Sequence, residues 1–343
     1  MGAAHDRTDR GRGRGGTGAR RASAGAVAVA LCALLALGTG PARGAGGDTA
    51  PAGSAASSVR PAVVPASPGA VRELARLQRR IADHVTTHGS VYTFASYLDT
   101  TGRIVLESDA PPRVVRAVTG RSATATLPGT PVARASGGSG PAAFHRRNDD
   151  APFDGGAGIR TLPSGPCSLG IAVRGGSGQV VSTASAACHT GSPVVTETGL
   201  TVGGLAYRNT ELDVALIAGQ SYSGRIYTGN VVSTTTTPVL SAGAAALGER
   251  DICFSGRTSG EQCGHAVIST SAQLCYARCW GPLVVIRGGA VLPQQGDWGG
   301  PVYKKEAAGA HVRGQVFATS GGSCYLTSWP RISATVGVSI VTG

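Results

Sequence analysis

Acyl transfer by a side-chain nucleophile needs a hydroxyl or thiol, a base beside it, an acid that orients the base, and backbone amides aimed at the developing oxyanion. Asp213 stands in Glu211-Leu212-Asp213-Val214-Ala215-Leu216, at the edge of an apolar run. A second segment, Gly296-Asp297-Trp298-Gly299-Gly300-Pro301, has the glycines of a tight loop that presents its amides, but its centre is an indole. The remaining candidates are the hydroxyls of Ser185 and Ser320 and the imidazoles of His189, His265 and His311. Both serines lie outside the 296–301 loop, and His265 and His311 fall on expected strands, where they read as solvent-facing or locally bonded.

These residues must be positioned by the second half of a 343-residue chain. Residues 1–44 carry seven arginines, at 7, 10, 12, 14, 20, 21 and 43, against Asp6 and Asp9. Much of the net charge of +12 is therefore N-terminal. No basic patch remains in the C-terminal half and aromatic residues are sparse, so nucleic-acid binding is not expected. Arginines followed by the apolar run Ala24 to Leu37 and small residues near Ala42 to Ala45 read as a secretory signal, too short for a convincing membrane span. No membrane anchor is expected once it is cleaved. Cys32 lies in that run, and the seven cysteines beyond it, 167, 188, 253, 263, 275, 279 and 324, imply disulfides with one thiol left over, not a metal site.

Residues 45–66, rich in Ala, Pro, Ser and Gly, read as a disordered leader. Ser67-Pro68 then starts a helix in which Val71, Leu74, Leu77, Ile81 and Val85 recur at helical spacing, and Asp99-Thr100-Thr101-Gly102 turns a β-hairpin. So small a unit is marginal alone and should dock on something larger. Residues 118–145 read as a linker. Beyond Gly155, short β-branched runs punctuated by Gly, Ser and Thr (169–173, 179–182, 194–197, 214–217, 283–286, 314–318) predict an all-β barrel or sandwich, with one late helix near 330–336.

Several segments together resemble the chymotrypsin-like serine peptidases. They are Ser182-Thr183-Ala184-Ser185-Ala186-Ala187-Cys188, the Asp213 segment, the loop 296–301 and Thr319-Ser320-Gly321-Gly322, in family order. Arg147-Asn148-Asp149-Asp150, Cys167-Ser168-Leu169-Gly170, and Cys253 to Cys263-Gly264 are similar to the small secreted bacterial, streptogrisin-like branch. The resemblance implies two six-stranded antiparallel Greek-key barrels over 146–343, preceded by a small α+β pro-region at 67–117. It implies disulfides Cys167–Cys188 and Cys253–Cys263; Cys275, Cys279 and Cys324 are left open, because Leu292 occupies the usual partner site of Cys324.

By the same resemblance Asp213 is the retained acid, Ala187 stands at the base position and Trp298 at the nucleophile position. The amides of Gly296 and Trp298 are the remnant of an oxyanion hole, and Ser320, Gly321 and Gly322 form the strand that pairs with substrate backbone. His189, two residues past Ala187, would point about 200° away on a helical turn. The expectation is a secreted, catalytically degenerate homologue, monomeric and without cofactor or metal, that binds extended peptides or protease-inhibitor proteins. An active endopeptidase with a rearranged site and a structural or adhesive domain are the alternatives. Asp213, lacking an imidazole, should be paired with the Ser320 hydroxyl, backbone amides or water, and Trp298 should either plug the cleft or stand exposed at its rim. An inert domain cannot cut its own linker, so cleavage near 140–150 would fall to another peptidase, with the flexible linker and Arg146-Arg147 as its targets.

Overall fold

The computed structural model describes residues 63–120, 145–161, 165–188 and 191–343. The signal segment, most of the leader and linker, and His189 lie outside the described residues. Helix α1 (Pro68–His88) starts where Ser67 accepts a hydrogen bond from the Ala70 amide, with proline in its first turn. Leu74, Leu77, Ile81 and Val85 form its buried stripe, whereas Val71, expected in that stripe, is exposed. Strands β1 (Phe94–Leu98) and β2 (Ile104–Ser108) form the expected hairpin, and Asp99 fixes its turn by accepting from the amides of Thr101 and Arg103. Helix α2 (Pro112–Thr119), which no sequence signal announced, closes the unit.

After β3 (Phe153–Gly155) come β4 (Gly158–Thr161), β5 (Pro166–Arg174), β6 (Val180–Ala184), β7 (Val194–Val195), β8 (Thr201–Asn209) and β9 (Val214–Ala218). Their antiparallel pairings run β4-β5-β6-β9-β8-β7 and return to β4, a closed ring. Strands β10 (Tyr222–Tyr227) and β11 (Thr236–Ala242) lead on to β12 (Ile252–Gly256), β13 (Gly260–Cys275), β14 (Cys279–Arg287), β15 (Pro301–Glu306), β16 (Gly309–Ser320) and β17 (Ser323–Ser328). These six close as β12-β13-β14-β17-β16-β15. Both rings have the order first-second-third-sixth-fifth-fourth, a Greek-key arrangement repeated, so the double barrel follows from strand pairing alone. Helix α3 (Trp329–Val336) and β18 (Ser339–Ile340) complete the chain, β18 pairing back onto β5.

Each barrel has its own core. Ile159, Leu169, Val202 and Ile217 fill the first, and Phe254, Val267, Ile286 and Leu326 the second. A third cluster joins Ile171, Val173 and Val214 of the first barrel to Tyr303, Val312 and Trp329. Strand β5 is buried along nearly its whole length because it serves both clusters. Disulfides join Cys167 to Cys188, Cys253 to Cys263 and Cys275 to Cys279. Cys324 stays a buried thiol in the cluster that Leu292 packs against.

Arg146 departs from expectation. It is 0% exposed, and its guanidinium donates to Ser255 Oγ and to the carbonyls of Gly156, Gly229 and Asn230. Burial lowers its pKa to about 10, so it stays charged. A peptidase cannot reach a residue held this way, and Arg146-Arg147 is not the accessible cleavage target anticipated above.

The helix-and-hairpin unit is built into the second barrel. Strand β1 pairs with β13, placing Phe94 opposite Cys275 and Ser96 opposite Gln273. Ala95 and Tyr97 enter one cluster with Leu274, Leu283, Val285, Phe317 and Tyr325. Glu107 of β2 accepts from the Tyr97 hydroxyl and from Arg287 of β14, at 2.8 and 2.5 Å. Opening the chain between 121 and 144 at an inserted peptidase site should leave both pieces co-eluting on size exclusion. Glu107→Ala should cost about 2 kcal/mol in chemical denaturation, the scale of a lost charged hydrogen bond.

Candidate functional site

Strand β6 ends in the turn Ser185-Ala186-Ala187-Cys188, pinned by the Cys167–Cys188 bridge. Asp213 precedes β9 in a left-handed conformation, φ 53°, which lets a short polar side chain fold back on local backbone. Its carboxylate reaches that turn: Oδ1 accepts from the Ala187 amide at 2.7 Å and Oδ2 from the Ser185 hydroxyl at 2.7 Å. The expectation was the Ser320 hydroxyl, amides or water; the amides do serve, but the hydroxyl comes from Ser185. Ser320 lies at the far end of β16 and lines the same cavity without holding the acid. The signal for Ser185 was its spacing two residues before Ala187, which lets one turn supply both a hydroxyl and an amide.

Asp213 is only 6% exposed. Burial pushes its pKa up to about 6, while the bonds from Ser185, Ala187 and Ala186 and the charge of Arg208 hold it down. At neutral pH it is mostly ionised. Gln315 of β16 donates to the Asp213 carbonyl at 2.8 Å and to the Ala184 carbonyl at 3.2 Å, tying the acid and the turn to the second barrel.

The glycine-rich loop crosses between the barrels. The Gly299 amide donates to the Val316 carbonyl, the Val316 amide to the Gly300 carbonyl, and the Ser168 amide to the Trp298 carbonyl. Ser168 Oγ donates to the Gly296 carbonyl at 2.8 Å. Gly299 has φ 83°, and a Cβ there would stand 2.4 Å from the Ser185 amide nitrogen, so the loop and the Ser185 turn touch backbone to backbone. Asp297 is fully buried and accepts from the amides of Thr258, Ser259 and Gln294. Its work is to hold the loop.

Ala187, Asp213 and Trp298 line one cavity of about 430 Å³, with Leu274, Trp280 and Phe317 among its walls. Trp298 is half-buried, with part of its indole against the first-barrel core. It neither plugs the cleft nor stands free at its rim: it forms a wall and leaves the cavity open. Beyond Val316, strand β16 pairs only with β17 among the described residues, so the other edge of Ala318 to Ser320 is unpaired beside the cavity.

Among the described residues no histidine lines this cavity. His265 is fully buried, not solvent-facing; its Nδ1 accepts from the Gly289 amide at 3.1 Å, and burial keeps it below the usual imidazole range. His311 is held by Ser241 and Glu306 on β16. The described residues thus bring together an acid, two barrels and a cleft, but set an alanine methyl at position 187 and an indole at position 298.

The sign of the pH effect follows from the Asp213 shift. A raised carboxylate pKa makes its share of stability complete below the unfolded value near 3.8 and lost as pH rises through about 6. Ser185→Ala removes a donor to the charged form. It should lower stability by about 1–2 kcal/mol at pH 8 and by less at pH 4, read as denaturation midpoints at both pH values.

No protein-family model matches this chain, and no curated protein matches it. Among solved structures it is similar to Thermobifida fusca protease A, at 23% identity over 56% of this chain and 99% of that one, with a TM-score of 0.46. A Nocardiopsis protease aligns at 20% identity over 55% and 99%, TM-score 0.46, and Cellulomonas bogoriensis chymotrypsin at 22% over 56% and 99%, TM-score 0.44. The double barrel itself rests on the two closed rings described above.

Proposed function

We propose that this chain is a secreted serine-peptidase homologue that has lost its reaction and kept its cleft, binding extended peptides or the binding loops of inhibitor proteins. One observation carries the reading: a single open cavity is lined by Ala187 and Trp298, at the base and nucleophile positions, together with the retained acid Asp213. A methyl group moves no proton and an indole attacks no carbonyl. Loss of either nucleophile or base alone costs roughly a millionfold in turnover where it has been measured, and here both positions are changed.

Binding is supported by what remains. The free edge at Ala318 to Ser320 offers backbone groups to an added strand, the usual route by which a sheet takes up an extended peptide. The apolar walls beside it accept a side chain. Three disulfides suit an oxidising, extracellular setting. Residues 67–117 would act as the pro-region of such a protein. With no reaction of its own, the chain leaves any cut between that unit and the barrels to another peptidase.

Two measurements test this. An active-site-directed serine phosphonate should leave the intact mass unchanged, and a panel of chromogenic peptides should show no turnover above buffer; stoichiometric labelling of any serine would overturn the loss of chemistry. Titration with an N-acetylated tetrapeptide amide should change tryptophan emission, since Trp280 and Trp298 both line the cavity. An absence of binding to peptides and to inhibitor proteins alike would favour a structural or adhesive role.

A further inference from the structure

The cavity has an asymmetry of charge that peptide binding in general does not require. Its depth is apolar: Leu274, Trp280, Trp298 and Phe317 face it, with Trp280 and Phe317 in edge-to-face contact at 5.5 Å. Its mouth is cationic. Arg208, at the end of β8, and Arg278, in the β13–β14 hairpin, both line the cavity and are both exposed.

Each guanidinium is fixed by one bond and keeps donors to spare. Arg208 Nε donates to the Ala186 carbonyl at 2.9 Å. Arg278 Nη2 donates to the Thr210 carbonyl, and its plane lies over the Trp280 ring at 4.8 Å. A guanidinium has five N–H donors in a fixed fork, a shape that matches a carboxylate. Neither arginine forms a salt bridge among the described residues.

Asp213 is the one carboxylate facing the cavity among the described residues, and it does not invite a cation. Both its oxygens already accept hydrogen bonds from the Ser185 turn, and it is nearly closed to solvent. The other polar groups around the cavity, among the described residues, are the neutral Thr93, Thr210, Tyr276, Thr319 and Ser320. The mouth therefore keeps a net positive charge even with Asp213 ionised.

We propose that this cavity selects an extended peptide bearing a carboxylate next to a large apolar or aromatic side chain, the side chain entering between Trp280, Trp298 and Phe317 and the carboxylate meeting Arg208 and Arg278. The proposal rests on the peptide-binding reading above and names its ligand. The carboxylate can be a chain terminus, as left by another peptidase, or an acidic side chain; the chemistry at the two arginines is the same.

Four probes separate the cases on the intact protein by calorimetry at low salt: Ac-Ala-Ala-Phe-OH, its amide Ac-Ala-Ala-Phe-NH2, Ac-Ala-Phe-Glu-NH2 and Ac-Ala-Phe-Lys-NH2. At least one carboxylate peptide should bind about tenfold more tightly than the neutral amide, a difference of about 1.4 kcal/mol, and whichever acid wins identifies the source. In the double variant Arg208→Gln, Arg278→Gln the gap should close while amide binding persists; both sites are exposed, and a circular dichroism spectrum checks the fold. Equal binding of acid, amide and lysine peptides, or preference for lysine, would overturn the carboxylate assignment and leave the peptide reading intact. No binding by any of the four would overturn the carboxylate assignment together with the peptide half of the proposed function, leaving only the inhibitor-protein half.

Discussion

A carboxylate buried where two barrels meet must find donors or give up its charge, and the centre of this molecule is arranged around that demand. Asp213 takes one hydrogen bond from a hydroxyl and one from an amide of the same turn. Those bonds fix the path of the chain from β6 to Cys188. The backbone carbonyl of the same residue accepts from Gln315, and the neighbouring Leu212 carbonyl accepts from Thr327, so the second barrel grips the acid from behind. Among the described residues no imidazole reaches the Asp213 carboxylate, and the Ser185 turn supplies its donors instead. Removing the acid would leave the Ala187 amide and the Ser185 hydroxyl without their acceptor.

The N-terminal unit extends the same logic outward. Glu107 holds Arg287, and Arg287 also donates to the Gly321 carbonyl and to Ser323, the turn that ends the free edge of β16. Tyr97 and Tyr325 add their hydroxyls to the Glu107 carboxylate. Thr93 reaches the cavity itself. The wall of the cleft is therefore shared by three parts of the chain. The Cys275–Cys279 bridge sits where the N-terminal unit meets the second barrel, packed with Leu77, Ile81 and Phe94.

Much of this was legible in the residues. Ser67-Pro68 and a stripe at helical spacing marked α1 because capping and amphipathicity are local properties. Asp99 to Gly102 marked a turn because an aspartate bonding to amides just ahead of it needs no distant partner. Val71 misled because spacing cannot tell which face of a first turn the rest of the molecule covers. Strand β13 was missed for a related reason: its run Gly260 to Cys275 alternates irregularly, with bulges against β14, and its long projection is stabilised by β1 from the other half of the chain.

By itself, then, the sequence determined which short segments carry turns, caps and strands, and it placed a methyl group at position 187 and an indole at position 298, since no fold can change what a side chain is made of. Tertiary structure alone decided that Ser185 and not Ser320 satisfies Asp213, that Arg146 is buried, that Cys275 closes on Cys279, and that Trp298 lines an open cleft. Each depends on groups far apart in sequence meeting at hydrogen-bond or van der Waals distance. Such meetings are set by the closure of the two rings, which no local pattern encodes.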